Sequence, residues 1–187
     1  MPSAAPILPP SSALQRILDS QLSDSSEPIH PPYLLHLAAI VLHNLQYQHD
    51  WTSLTIHTHS TLTNLPLPRP IVSGLPPKRA YIHPDEQVEI LKAEHDTGES
   101  IIQVPELEWV LPTHLEEKWS LAQFSSIFDA LETVPSGEGV EKIDESAVGA
   151  RWQGKNRQKR ILLATLHDDS TVVYYIMHDG IVKPRQN

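Results

Sequence analysis

The densest chemistry in this 187-residue chain lies in "RWQGKNRQKR", residues 151–160. Arg151, Lys155, Arg157, Lys159 and Arg160 fall there without an intervening acid, in a chain of formal net charge −9. Clustered lysine and arginine neutralise phosphate and release counterions, so the stretch predicts an RNA-backbone contact, with Trp152 as a stacking surface. The competing reading is a solvated loop ahead of a strand. A second group, "YIHPDE", gathers Tyr81, His83, Asp85 and Glu86, types that acid–base chemistry uses. Its structural reading is a strand end, with Pro84 stopping the pairing and the acids in solvent. His57 and His59 are two apart and share a face of a strand, but no third ligand lies near them in sequence. Zinc needs three or four, so no metal or other cofactor is expected.

The third group is "LHDDSTVVYYIMHDG", residues 166–180. Asp168 and Asp169 occupy a turn, and Val172, Val173, Tyr174, Tyr175 and Ile176 follow as five bulky residues in a row. Such a run suits a strand covered on both faces. A strand so near a terminus is usually an edge, and an exposed apolar edge is a liability. A strand from another chain would remove that liability by pairing with it. The two carboxylates at the tip would then suit a basic pocket on a neighbour, provided donors there satisfy both. A second copy of the chain, related by a two-fold axis, could use the same edge.

The elements that hold these groups follow from periodicity. Residues 1–30 read as a Pro/Ser-rich extension with one short helix, capped by Ser12 and Gln15, and 31–187 as one domain. Leu34, Leu37, Ala38, Val41, Leu42 and Leu45 form a helical stripe entered through Pro31 and Pro32. "SLTIHTH" alternates as a strand, and the proline-punctuated "LPRPIVSGLPPK" predicts an edge strand or an extended crossing segment. "QVEILKA" and "SIIQV" predict a hairpin around Gly98. "LEWVLP" predicts a strand, and "PTHLEEKWSLAQFSSIFDAL" a helix capped by Thr113 and Glu116. Residues 134–158 read as a mobile insertion, and "RILLATL" with "TVVYYIM" as the closing hairpin. The expectation is an α+β fold with a mixed or antiparallel sheet packed against helices.

Composition narrows the function classes. With no cysteine there is no thiol nucleophile, disulfide or thiolate metal site, and the 17 prolines argue against a long-helix bundle. The acidic balance is unlike a free-standing nucleic-acid binder. The start of the chain lacks the basic and apolar pattern of a secretory leader, and no window approaches a membrane span.

"KRILLATLHDDSTVVYYIMHDG" resembles the closing hairpin of the tRNA-splicing endonuclease fold, with its basic lead-in, acidic turn and Tyr-Tyr strand. Together with "LPRPIVSGLPPKRAYIHPDEQVEIL" and "EWVLPTHLEEKWSLAQFSSIFDAL", the chain from about Tyr33 resembles the Sen-fifteen family of endonuclease subunits, in a fungal form. The resemblance implies a structural subunit in a heterotetramer of two catalytic and two structural chains that excises introns from precursor tRNA. It implies pairing of C-terminal strands with the catalytic subunit Sen-thirty-four, and insertion of the acidic turn into a subunit of the opposite dimer. Catalytic relatives cleave with a Tyr, His and Lys triad. Lys159 falls about where that lysine sits, but the tyrosine loop and its histidine have no counterpart, and Tyr81 and His83 are too close together to replace them. No autonomous catalysis is expected. The location implied is the nucleus or the cytosolic face of mitochondria. The alternative is a chain that binds or cleaves RNA by itself through residues 151–160.

Overall fold

A computed structural model describes residues 12, 15–16, 29–137 and 148–180. Helix α1 (Pro32–Gln48) starts, as its sequence predicts, with Pro31 as the flanking residue and Pro32 in the first turn. A proline there gives up an N–H that the helix would leave unpaired in any case. Strands β1 (Thr52–His59), β2 (Pro66–Leu75), β3 (Glu108–His114), β4 (Arg160–Leu166) and β5 (Val172–His178) form one sheet in chain order. Neighbours are antiparallel except β3 and β4, which run parallel. The sheet is therefore mixed, and the fold is α+β.

Side-chain alternation divides the strands between two cores. Val72, Val110, Leu162 and Ala164 meet Ala38, Val41 and Leu45 of α1 on one face. Ile71, Trp109, Leu111 and Ile161 meet Ile127 and Phe128 of helix α3 (Leu121–Ala130) on the other. The central strands are thus apolar on both faces because each face has a helix to cover it.

Four expectations give way. β2 is an interior strand and not an edge. Its prolines sit at residues 66–70, and pairing with β3 begins only at Val72, so no ladder bond to β3 needs their missing N–H groups. The hairpin expected around Gly98 is instead helix α2 (Pro84–Thr97). His83 caps it, accepting from the Asp85 N–H, while Glu86 reaches back to the His83 N–H. Gly98 ends it at φ 72°, a left-handed terminus that glycine adopts without a Cβ penalty. The "YIHPDE" segment is accordingly a helix start and not a strand end. Thr113 belongs to β3, where its hydroxyl donates to the Ala164 carbonyl, and α3 is capped further along the chain by Ser120 with Gln123.

Of the expected insertion at 134–158, residues 138–147 lie outside the described residues, and two 3-10 turns, Ala150–Trp152 and Gly154–Asn156, fall within the described remainder. At the N-terminus Ser12 Oγ accepts from the Gln15 N–H, as the capping pattern predicts. The rest of that segment lies outside the described residues.

Candidate functional site

β5 is paired on one side only. Its seven residues match β4 in unbroken register, from Arg160 opposite His178 to Leu166 opposite Val172. Among the described residues no strand lies on its outer edge. Val172 and Tyr174 face the α1 core, and the Tyr174 hydroxyl donates to Asn44 Oδ1 at 2.6 Å. Burial pushes the Tyr174 hydroxyl pKa well above the ordinary tyrosine value. Val173, Tyr175 and Met177 point to the opposite face, where Met177 reaches the α3 core. Tyr175 stays 55% exposed and Ile176 38%. The other edge differs. β1 is interrupted between Thr52 and Thr55 and again between His57 and His59, and Ser53 sits at φ 51°. Such irregularities blunt an edge against further pairing, and β5 carries none.

Asp168 and Asp169 form the tip of the β4–β5 hairpin, both exposed. The Thr171 N–H donates to Asp169 Oδ1 at 3.0 Å, which holds that carboxyl below its ordinary pKa. Asp168 lies 3.4 Å from His114 Nε2, so the tip leans on the end of β3.

The basic stretch splits apart. Arg157 and Arg160 are buried, at 4% and 3% exposure, and both bind Glu108, which has none. Arg157 Nη1 donates to Glu106 and Glu108 at 3.0 Å each, and its Nη2 to the Leu107 carbonyl and Glu108. Arg79 forms a bidentate pair with buried Glu86 at 2.6 and 3.0 Å, and its Nε lies 3.8 Å from Glu106. Three arginines thus meet three glutamates in one connected cluster, sealed by Gln153 on Glu86. Gly149 abuts this seal at φ 81°, where a Cβ would come within 2.9 Å of Glu86 Oε1. A phosphate contact by Arg157 or Arg160 would have to break these pairs. Arg151 and Lys155 remain exposed, Arg151 paired with Glu89 and lying over the Trp152 ring.

Lys159 leaves the chain on the opposite face from Arg160. Its ammonium donates to the carbonyls of Phe128 and Leu131 at 2.8 Å each, at the C-terminal end of α3. A cation there meets the negative end of the helix dipole, adding a second donor to the Phe128 carbonyl, which the Leu131 N–H also reaches at 3.2 Å. Tyr81 and His83 are elsewhere. The Tyr81 ring meets His178 edge-on and lies under Arg160, while His83 stacks on Trp152 at 4.0 Å. Burial first, then the charge of Arg160, then His83, lowers the His178 pKa. His57 lies 2.8 Å from Ser73 Oγ and edge-on to Trp109, and burial lowers its pKa as well. Among the described residues no group of three or more histidine or acidic side chains is placed to hold a metal, and no helix is long and apolar enough to cross a membrane.

Glu106, Glu108 and Arg79 carry no local signal in the sequence. A glutamate opening the apolar "EWVLP" strand is the nearest hint, since a buried carboxylate needs a partner from elsewhere.

Residues 40–187 match the protein family described as Sen15 protein. A "Probable tRNA-splicing endonuclease subunit tsp-1" of Neurospora crassa is 52% identical over 155 residues, covering 83% of this chain and 67% of that protein. A "Probable tRNA-splicing endonuclease subunit sen15" of Schizosaccharomyces pombe is 33% identical over 81 residues, 43% of this chain and 50% of that protein.

Proposed function

The chain belongs to the Sen15 family, and on that premise we propose that it is a structural subunit of a tRNA-splicing endonuclease, joined to the catalytic subunit Sen-thirty-four through β5. The observation that carries this reading is the contrast between a regular, partly apolar β5, whose outer edge has no partner among the described residues, and an irregular β1. A partner strand added to β5 would gain main-chain hydrogen bonds along seven residues and cover Tyr175 and Ile176. Asp168 and Asp169 then project beyond the paired strands as a two-carboxylate tip for a basic pocket on another subunit.

The chemistry of cleavage belongs to the partner in this reading. Lys159 is held by two main-chain carbonyls at the end of α3, while Tyr81 and His83 pack against Arg160, His178 and Trp152. An electrostatic stabiliser and an acid–base pair have to converge on one phosphate, and these three do not. Precursor tRNA meets this chain within the complex, with Arg151 and Lys155 as the exposed cations of the 151–160 stretch. The complex acts in the nucleus.

Co-expression with tagged Sen-thirty-four tests the reading. The native chain should co-purify, and Tyr175→Lys with Ile176→Lys should not. Equal recovery of both rejects strand pairing. Robust cleavage of intron-containing precursor tRNA by the isolated chain rejects the non-catalytic role. A self-associating chain that ignores the catalytic subunit would instead favour a homodimeric adaptor using the same edge.

A further inference from the structure

We propose that the end of the molecule beside the acidic tip is a second docking surface, receiving a segment of another subunit with a bulky apolar side chain flanked by lysine or arginine. The inference rests on the reading of the chain as an endonuclease subunit and extends it to a site away from the β5 edge. A cleft of about 390 Å³ opens between the first turns of α1 and the residues that follow β3. Leu37, Ile40 and Leu166 give it apolar walls, and Tyr33, His36 and Glu116 stand around them. Tyr33 is 65% exposed, and Leu115, next along the chain from the cleft-lining His114, is 53% exposed. Large apolar side chains left open around a concave apolar site mark a contact surface more than scattered exposure does.

Charge decides what kind of segment fits. Glu116, Asp168 and Asp169 are all exposed, and the His114–Asp168 contact brings the hairpin tip against the cleft. Glu117 also lines the cleft, but a bidentate pair with Arg69 at 2.6 and 3.1 Å neutralises it. Lys118 is also exposed beside Glu117, so three exposed carboxylates against one lysine leave this end net negative, which repels a phosphate backbone and attracts a basic peptide. Leu166 joins the two surfaces physically. It lines the cleft, and it is also the last β4 residue before the tip, paired with the first residue of β5. A partner that takes the tip into a basic pocket therefore brings its own cations to the mouth of the cleft. The chain's own residues 12–22 carry only Arg16 and Asp19 as charges, so they lack the basic flanks.

The test replaces His36 with photoreactive benzoylphenylalanine in the assembled endonuclease, with Tyr175 replaced likewise in a parallel sample. Position 36 should cross-link to a lysine- or arginine-bearing segment of another subunit. Glu116→Lys with Asp169→Lys should cut that yield by roughly fivefold or more while position 175 still reacts. A position 36 that links only to residues 1–28, to tRNA, or to nothing, while position 175 links to Sen-thirty-four, overturns the second surface and leaves the β5 reading standing. Failure at both positions overturns the β5 reading and the second surface with it.

Discussion

Arg157 keeps 4% of its surface in solvent, and Tyr175 keeps 55%. Both belong to stretches whose residue types announce contact with something outside the chain. In residues 151–160 the chain itself supplies the partners, because Glu106 and Glu108 arrive from the start of β3 and satisfy Arg157 and Arg160. In residues 166–178 the inner edge is paired with β4, and the outer edge, two carboxylates and a tyrosine face are left open. A cluster of like charges in the sequence is thus no guide to a binding surface until its counter-charges are located. A regular apolar strand whose outer edge has no partner among the described residues is a better guide.

This contrast can be broken experimentally, beginning with the closed region. Glu108→Ala leaves two buried guanidinium groups short of an acceptor, and stability should fall by about 3–5 kcal/mol. Urea denaturation reads it, and a loss under about 1 kcal/mol would mean the cluster is not sealed. In the open region the signs reverse. Tyr175→Lys should change stability by no more than about 1 kcal/mol, as expected for an exposed position, while abolishing co-purification with the catalytic subunit. A large melting shift without loss of partner would turn β5 into a core strand.

Lys159, near the end of the first region, distinguishes structure from chemistry. Lys159→Met should cost about 0.5–1.5 kcal/mol through the α3 terminus, and the assembled enzyme should cleave at its normal rate. A collapse of cleavage with stability intact would restore the lysine to the active site.

The smallest effect is the dependence on pH. His57 and His178 both have pKa values lowered by burial, so the unfolded chain binds protons more readily than the fold does. Their contribution to stability is complete above about pH 6.5 and is lost as pH falls toward the depressed folded values. His57→Gln should flatten the decline in melting temperature between pH 7 and 5, and an unchanged slope would assign it to other groups.

The sequence by itself determined most elements and the hairpin that matters. The α1 stripe, the β4–β5 pair and the strand "EWVLP" are legible because their signals lie within a few residues of each other. Local cues compete in two places. His83 with Glu86 caps α2 and Gly98 ends it, yet the flanking Val, Ile and Gly suggest a hairpin. Both Thr113–Glu116 and Ser120–Gln123 carry a capping pattern, and only tertiary packing chose between them, by drawing Thr113 into the sheet. The fate of the basic stretch was not legible either. Arg157 finds Glu108 across 49 residues of chain, and only the parallel pairing of β3 with β4 brings their ends together. Periodicity fixes what each segment can become, because it depends on backbone geometry. Which charges are satisfied and which remain on offer depends on distances between segments, and only the folded sheet sets those.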